Sequence, residues 1–306
     1  MALRFDDDQN PFIDLGQGRK IALDFAEYSD KASLDKASDE LRESAEVVEN
    51  SLGELRELLK DDKDLNIPVN DDAFLIRFLR PRKYYVKSAY ELIKGYYKMK
   101  AKQDFIVDDI SVKAIRVAFE ERVIQLFPKR DQFGRRIVYM EIGASWDCSK
   151  VPFSEMIRAE HALLTLLSLE PSTQLNGLVV IANFDKLSFS HLGQFTPKFM
   201  KNTFELGQHL FPLRIKGINV INNAKLFNMF FNICKRFLGQ KWSKRVNFHG
   251  SNMESLHQQI DPASLPVKLG GTCDLPDYDG KVFVELLEQF QGRFDELNSY
   301  GYAKSN

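Results

Sequence analysis

The chain has 306 residues, 44% hydrophobic and 28% charged, enough to bury one large core with a smaller unit beside it. Lys and Arg total 42 against 43 Asp and Glu, a balance that excludes a wholesale polyanion binder, and nucleic acid is not an expected partner. The three cysteines (Cys148, Cys234, Cys273) are odd in number and lack CxxC spacing, which points to a reducing compartment. The amino terminus is acidic where a signal peptide needs a basic start, and no apolar run reaches membrane-spanning length. A cytoplasmic protein is expected.

In chain order, residues 1–30 show no sustained periodicity and read as a flexible segment. Ala37, Leu41, Ala45, Val48, Leu52, Leu55 and Leu59 recur at steps of three and four, predicting one amphipathic helix over 33–60. Helices are predicted at 72–80, stopped by Pro81, and at 86–102. Past residue 130 the pattern becomes β-rich at Arg136–Ile142, Gly177–Phe184, Gly217–Asn222 and, more weakly, Arg245–His249. Helical stretches near 153–169, 195–209 and 224–239 lie between them, and one at 281–296 closes the chain. This alternation predicts an α/β fold with a mostly parallel sheet, preceded by a small all-α unit. The expected divisions are 1–30, a helical unit 31–115, the α/β unit 116–280, and a carboxyl-terminal helix and tail 281–306.

Charge is unevenly spread. Residues 1–72 hold 20 Asp/Glu and 9 Lys/Arg, whereas the 48 residues from Leu206 to Met253 hold eight basic side chains and no acidic one. That window predicts an electropositive surface aimed at something anionic.

A parallel sheet invites an enzyme reading, but the sequence has no complete GxGxxG after its first strand, no GxxxxGK[ST] and no GxSxG. The five histidines are too dispersed for a zinc motif, and His249 and Cys273 read as packing residues. No catalytic set, metal site or cofactor is predicted. Three features point to lipid instead. The 153–169 helix is apolar around most of its circumference, so it is either a fully buried core helix or one side faces an enclosed apolar ligand. The 224–238 stretch joins Phe227, Phe230 and Phe231 to flanking cations, as in a segment that meets a membrane interface, although a core helix with a solvated basic flank also fits. In Phe211–Ile218, Leu213, Ile215 and Ile218 alternate with Arg214 and Lys216, a strand with a greasy inner and a cationic outer face.

These residues carry a family resemblance. The helical part has Asp72-Ala-Phe-Leu-Ile-Arg-Phe-Leu-Arg-Pro-Arg-Lys-Tyr. The α/β part has Asp131-Gln-Phe-Gly-Arg-Arg, Thr173-Gln-Leu-Asn-Gly, Phe189-Ser-His, Phe211-Pro-Leu-Arg-Ile-Lys-Gly-Ile, Phe248-His-Gly and Leu265-Pro-Val-Lys-Leu-Gly-Gly. From about residue 35 to 280 the chain resembles CRAL-TRIO lipid-binding proteins, on the branch of the α-tocopherol transfer protein and the cellular retinaldehyde-binding protein.

The resemblance implies a lipid cavity between sheet and helices, under a mobile amphipathic lid at about 222–245 that includes Phe227, Phe230 and Phe231. The cavity candidates it implies are Ile157, Glu160, Leu163, Leu164, Leu178, Ala182, Leu206, Phe211, Leu213, Ile215 and Ile218. By the same carry-over, Arg82, Arg214, Lys216, Lys241 and Arg245 would hold a phosphoinositide head group. A further basic position of the tocopherol transfer protein is Glu91 here, and its two small hydroxyl residues near the ligand head are Glu160 and Leu164. A buried unpaired carboxylate is costly. Glu160 is therefore expected to be protonated, paired or turned to water. The implied function is a non-enzymatic carrier of a small isoprenoid-type lipid, peripheral to phosphoinositide-containing membranes. The alternatives are a phosphatidylinositol/phosphatidylcholine exchanger, or a phosphoinositide-sensing module recruiting partners through its acidic amino-terminal helix.

Overall fold

The computed structural model describes residues 1–102, 110–223, 225–274 and 276–303, without the side chains of Phe199, Lys225, Phe230, Ile233 and Cys234. The first thirty residues differ from expectation. β1 (Ala2–Phe5), β2 (Pro11–Gly16) and β3 (Arg19–Ala22) form an antiparallel sheet in sequential order. Ile13 and Ile21 face each other across it and are fully buried against the main core. Strands this short carry too few alternating positions to stand out by periodicity.

The expected 33–60 helix is two helices. α1 (Lys31–Leu41) ends where Arg42 adopts the left-handed region at φ 64°, and Ser44 caps α2 (Ala45–Lys60) by accepting from the Val47 N–H. A bridge strand β4 (Leu65–Asn66) leads to α3 (Asp72–Leu79), capped by Asp71. A single 3₁₀ turn over Arg80–Arg82 then accommodates Pro81. α4 (Val86–Lys100) and α5 (Val112–Glu120) complete the amino-terminal helices.

The α/β unit follows as β5 (Ile124–Leu126), β6 (Arg136–Glu141), α6 (Phe153–Leu167), α7 (Pro171–Asn176), β7 (Leu178–Asn183), α8 (Phe189–Gly193), α9 (Pro197–Glu205), β8 (Ile215–Ile221), α10 (Lys225–Cys234), α11 (Gln240–Ser243), β9 (Val246–Gly250) and α12 (Met253–His257). Its five strands lie in sequence order, β5 antiparallel and the rest parallel. The predicted closing helix is again two, α13 (Gly280–Glu288) and α14 (Gln291–Asn298), before β10 (Gly301–Tyr302) pairs with β4.

Strand alternation divides the core. Val179 and Ile181 face Leu256, Ile260, Leu265 and Leu269, so the segment after β9 covers one side of the sheet. Val138, Met140, Val180 and Ala182 face the helices on the other. Two buried charges tie the amino-terminal elements to this unit. Arg80 donates to Glu43, to Glu27 at 2.7 Å and to the Gln174 side-chain oxygen at 2.7 Å. Glu170, fully buried, accepts from Arg136, Arg130, the Thr173 hydroxyl and the Asp24 backbone N–H.

Candidate functional site

Between the helical face of the sheet and α6, α9 and α10 lies a cavity of about 230 Å³. β-alternation supplies its floor: Met140 from β6, Val180 and Ala182 from β7, Val220 from β8. α6 supplies one wall through Phe153, Met156, Ile157, Glu160, His161 and Leu164, which recur at helical spacing on one face. Phe227 and Phe231, one turn apart on α10, line it as well, their rings stacked at 5.9 Å, and Phe248 packs edge-on against both.

Of the residues expected here, Ile157, Glu160, Leu164, Ala182, Leu206, Phe211, Ile215, Ile218, Phe227 and Phe231 line the space. Three expected lining residues do not. Leu163, two turns beyond Met156 at the margin of the cavity face of α6, is wholly buried in the core and not part of the lining. Leu178 shares the Val180–Ala182 face but sits one pair before the floor begins, and Leu213 precedes β8. Phe230 lies on α10, its side chain outside the described residues. Ile215 and Ile218 both reach the cavity despite odd spacing, because the β7–β8 register shifts between Leu178 and Val179. Sequence reasoning missed the floor residues Met140, Val180 and Val220, which simple alternation along β6, β7 and β8 would have found.

The lining is almost wholly apolar, and its polar exceptions lack ordinary solvation. Glu160 has no hydrogen-bond or ion-pair partner among the described residues. The part of its side chain that protein leaves uncovered faces the cavity, and burial alone pushes its carboxyl up to about 7. The protonated alternative posed by the sequence is thus the one this environment favours. His161 meets the Tyr96 hydroxyl at 3.3 Å. Burial, with the Lys100 and Arg77 charges, holds it down at about 3 and so neutral. The Thr203 hydroxyl, also on the wall, has no partner among the described residues.

Outside this space, cations gather at the amino-terminal ends of β8 and β9. Arg214 is fixed by its backbone: the Leu178 N–H donates to the Arg214 carbonyl at 3.0 Å, and Gly177, at φ +80°, leaves no Cβ to collide with it. Arg245 donates to the Ile215 carbonyl at 2.6 Å and Arg82 to the His209 carbonyl, and among the described residues neither charge meets a carboxylate. Lys241 is exposed, and burial followed by the neighbouring Arg245, Arg82, Lys83 and Arg214 lowers its pKa. Lys216 reaches the same group beside Arg214. All five expected basic residues therefore converge, and Glu91 is exposed on α4. The acidic face of α1 and α2 is partly spent inside the molecule: Glu40 pairs with Arg214 and Lys216, and Glu43 with Arg80.

The CRAL/TRIO domain family model matches residues 120–271, a span holding the whole sheet and most of the cavity wall. Clavesin-1 of Rattus norvegicus is 32% identical over 279 residues, covering 90% of this chain and 77% of that protein. The chain belongs to the CRAL-TRIO family. Clavesin-2 of Homo sapiens is a further CRAL-TRIO relative, 31% identical over 274 residues, which cover 88% of this chain and 81% of that one. The crystal structure of Sfh5 aligns over 89% of this chain and 100% of its own, with a TM-score of 0.46 and 9% identity. Lipid binding and lipid transport are the business of the CRAL-TRIO family. Among the described residues no helix is long and apolar enough to cross a membrane, and no cluster of His, Cys, Asp and Glu could hold a metal ion.

Proposed function

We propose that this protein encloses one small isoprenoid-type lipid in the cavity and exchanges it at phosphoinositide-containing membranes, without chemistry on the cargo. The observation that carries the reading is the space itself: about 230 Å³, apolar, and lined on the α10 side by Phe227 and Phe231. At about 230 Å³ the space falls below the roughly 300–1,000 Å³ of common ligand pockets, which favours a compact single molecule over a two-chain phospholipid. Burying roughly 400 Å² of such a ligand at about 25 cal/mol per Å² supplies some 10 kcal/mol before the ordering costs of association. The isoprenoid class rests on the motif resemblance to tocopherol and retinaldehyde carriers, and Glu160 and Thr203 offer a polar head its partners.

Release at a membrane is supported by what surrounds α10. Met229 on α10 is 54% exposed and the adjoining Phe248 44%, while Phe189, on α8 after β7, is 73% exposed. Such rings gain by partial insertion, and the neighbouring cations gain about 1 kcal/mol each near anionic lipid. A membrane that binds these groups better in an open arrangement shifts the lid toward opening. The test is transfer of a fluorescent retinoid or tocopherol analogue between vesicles. Acceleration when acceptor vesicles contain phosphoinositide is the expected result. No transfer of any isoprenoid, alongside efficient exchange of phosphatidylinositol, would replace this reading with the phospholipid exchanger.

A further inference from the structure

Arg82, Lys83, Arg214, Lys216, Lys241 and Arg245 form one patch, since Lys241 feels the fields of Arg245, Arg82, Lys83 and Arg214, and Lys216 that of Arg214. Among the described residues, the carboxylate that pairs with these cations is Glu40, in the last turn of α1. One of its oxygens, Oε2, accepts from Arg214 at 2.6 Å and from Lys216 at 3.2 Å. Burial pulls the Glu40 carboxyl upward, but the two cations outweigh it and hold the group below the usual carboxylate range. Lys241, Arg245 and Arg82 have no such partner: the bonds of the two arginines go to backbone carbonyls. The patch is therefore divided into a compensated half at β8 and an uncompensated half at α11 and the start of β9.

Glu40 is not needed to hold α1 in place. Lys36, one turn earlier, donates to Asn176 Oδ1 at 2.7 Å and to the Phe133 carbonyl at 3.1 Å. Ala37 and Leu41 are buried against Leu175. The Glu40 side chain remains 37% exposed, so an arriving anion can reach the cations it covers.

We propose that Glu40 sets how many phosphate groups this patch reads, admitting one at Lys241, Arg245 and Arg82 and competing with a second at Arg214 and Lys216. The inference rests on the membrane-docking reading above and goes one step past it, to the selectivity of the docked head group. An internal carboxylate bound to the β8 cations is a stand-in for a phosphate oxygen, and a doubly phosphorylated inositol head must displace it. A singly phosphorylated head need not.

The experiment is cosedimentation of wild-type protein and Glu40→Gln with vesicles holding a monophosphorylated or a bisphosphorylated inositol lipid, and with phosphatidylserine vesicles as a charge control. Losing one negative charge is worth on the order of fivefold on any of these anionic surfaces, so the variant's gain on the bisphosphorylated lipid should exceed its gain on the other two by a further factor of about five. Calorimetry with soluble inositol bisphosphate should show the same gain without any bilayer. An equal gain on all three vesicles, a gain confined to vesicles, or no gain at all would overturn the proposal. Lys241→Ala separates the two levels. If it weakens vesicle binding about fivefold while Glu40→Gln changes nothing, the docking reading stands and the selectivity falls. If wild-type protein ignores every anionic vesicle, both fall.

Discussion

Replacing Glu160 by Gln removes one titrating group from the dry wall of the cavity while keeping its size. The carboxyl sits at about 7 in the folded, empty protein against 4.5 for a fully hydrated glutamate, and burial is the whole cause. At about 1.36 kcal/mol per pH unit, that difference corresponds to about 3 kcal/mol. The sign follows from which state releases its proton first. Below pH 4.5 both states are protonated and the group has no effect on stability. As pH rises toward 7 the unfolded chain ionises while the folded one resists, so stability falls; above 7 the deficit is constant. Urea denaturation of delipidated wild-type protein and Glu160→Gln, compared between about pH 4 and about pH 8, isolates the group from every other titration. The variant should be more stable than wild type at the higher pH by about 3 kcal/mol relative to their difference at the lower one. Parallel pH curves would refute the reasoning, because they would mean that Glu160 is hydrated or paired and the cavity is not a dry enclosure.

Three further outcomes are expected. His161, held down at about 3, supports stability fully above its ordinary value of 6.5 and loses that contribution as pH falls toward 3, so His161→Gln should flatten the acid limb in the same urea assay. Lys241→Ala should weaken binding to anionic vesicles by about fivefold, with the difference shrinking at high salt in flotation measurements. Arg80→Ala leaves the largely buried Glu43 without its cation, and should cost roughly 3–5 kcal/mol in thermal or chemical unfolding.

The parallel sheet was legible because it rests on local pattern, whereas the cavity residues were implied by the family resemblance. β6, β7 and β8 each interrupt helical spacing with a run of buried β-branched or apolar residues, and α6 is too apolar to serve as a surface helix. What failed depended on geometry that pattern cannot carry. Leu163 is as apolar as Leu164, and only the rotation of α6 against the sheet decides which of them meets empty space. Leu178 has the right face and the wrong height. The break after Leu41 hides because the apolar spacing runs on through it, while the cause, a left-handed Arg42 and a serine cap, is a matter of single residues. The basic patch was visible as a charge window, but Glu40 was not. It lies 174 positions from Arg214 in a segment whose acids read as a solvated face, and only the fold brings the two to 2.6 Å.

The central claim, an apolar space that holds a guest, is tested most directly at Ala182. This small residue forms part of the cavity floor on β7, and a tryptophan there would project into the space. Native mass spectrometry of wild-type protein and Ala182→Trp, purified gently from the same cells, should show one small apolar molecule on the wild type and none on the variant, with vesicle binding intact in both. A variant that carries the same molecule at the same occupancy, or a wild type that never holds one even after exposure to isoprenoid lipids, would contradict it.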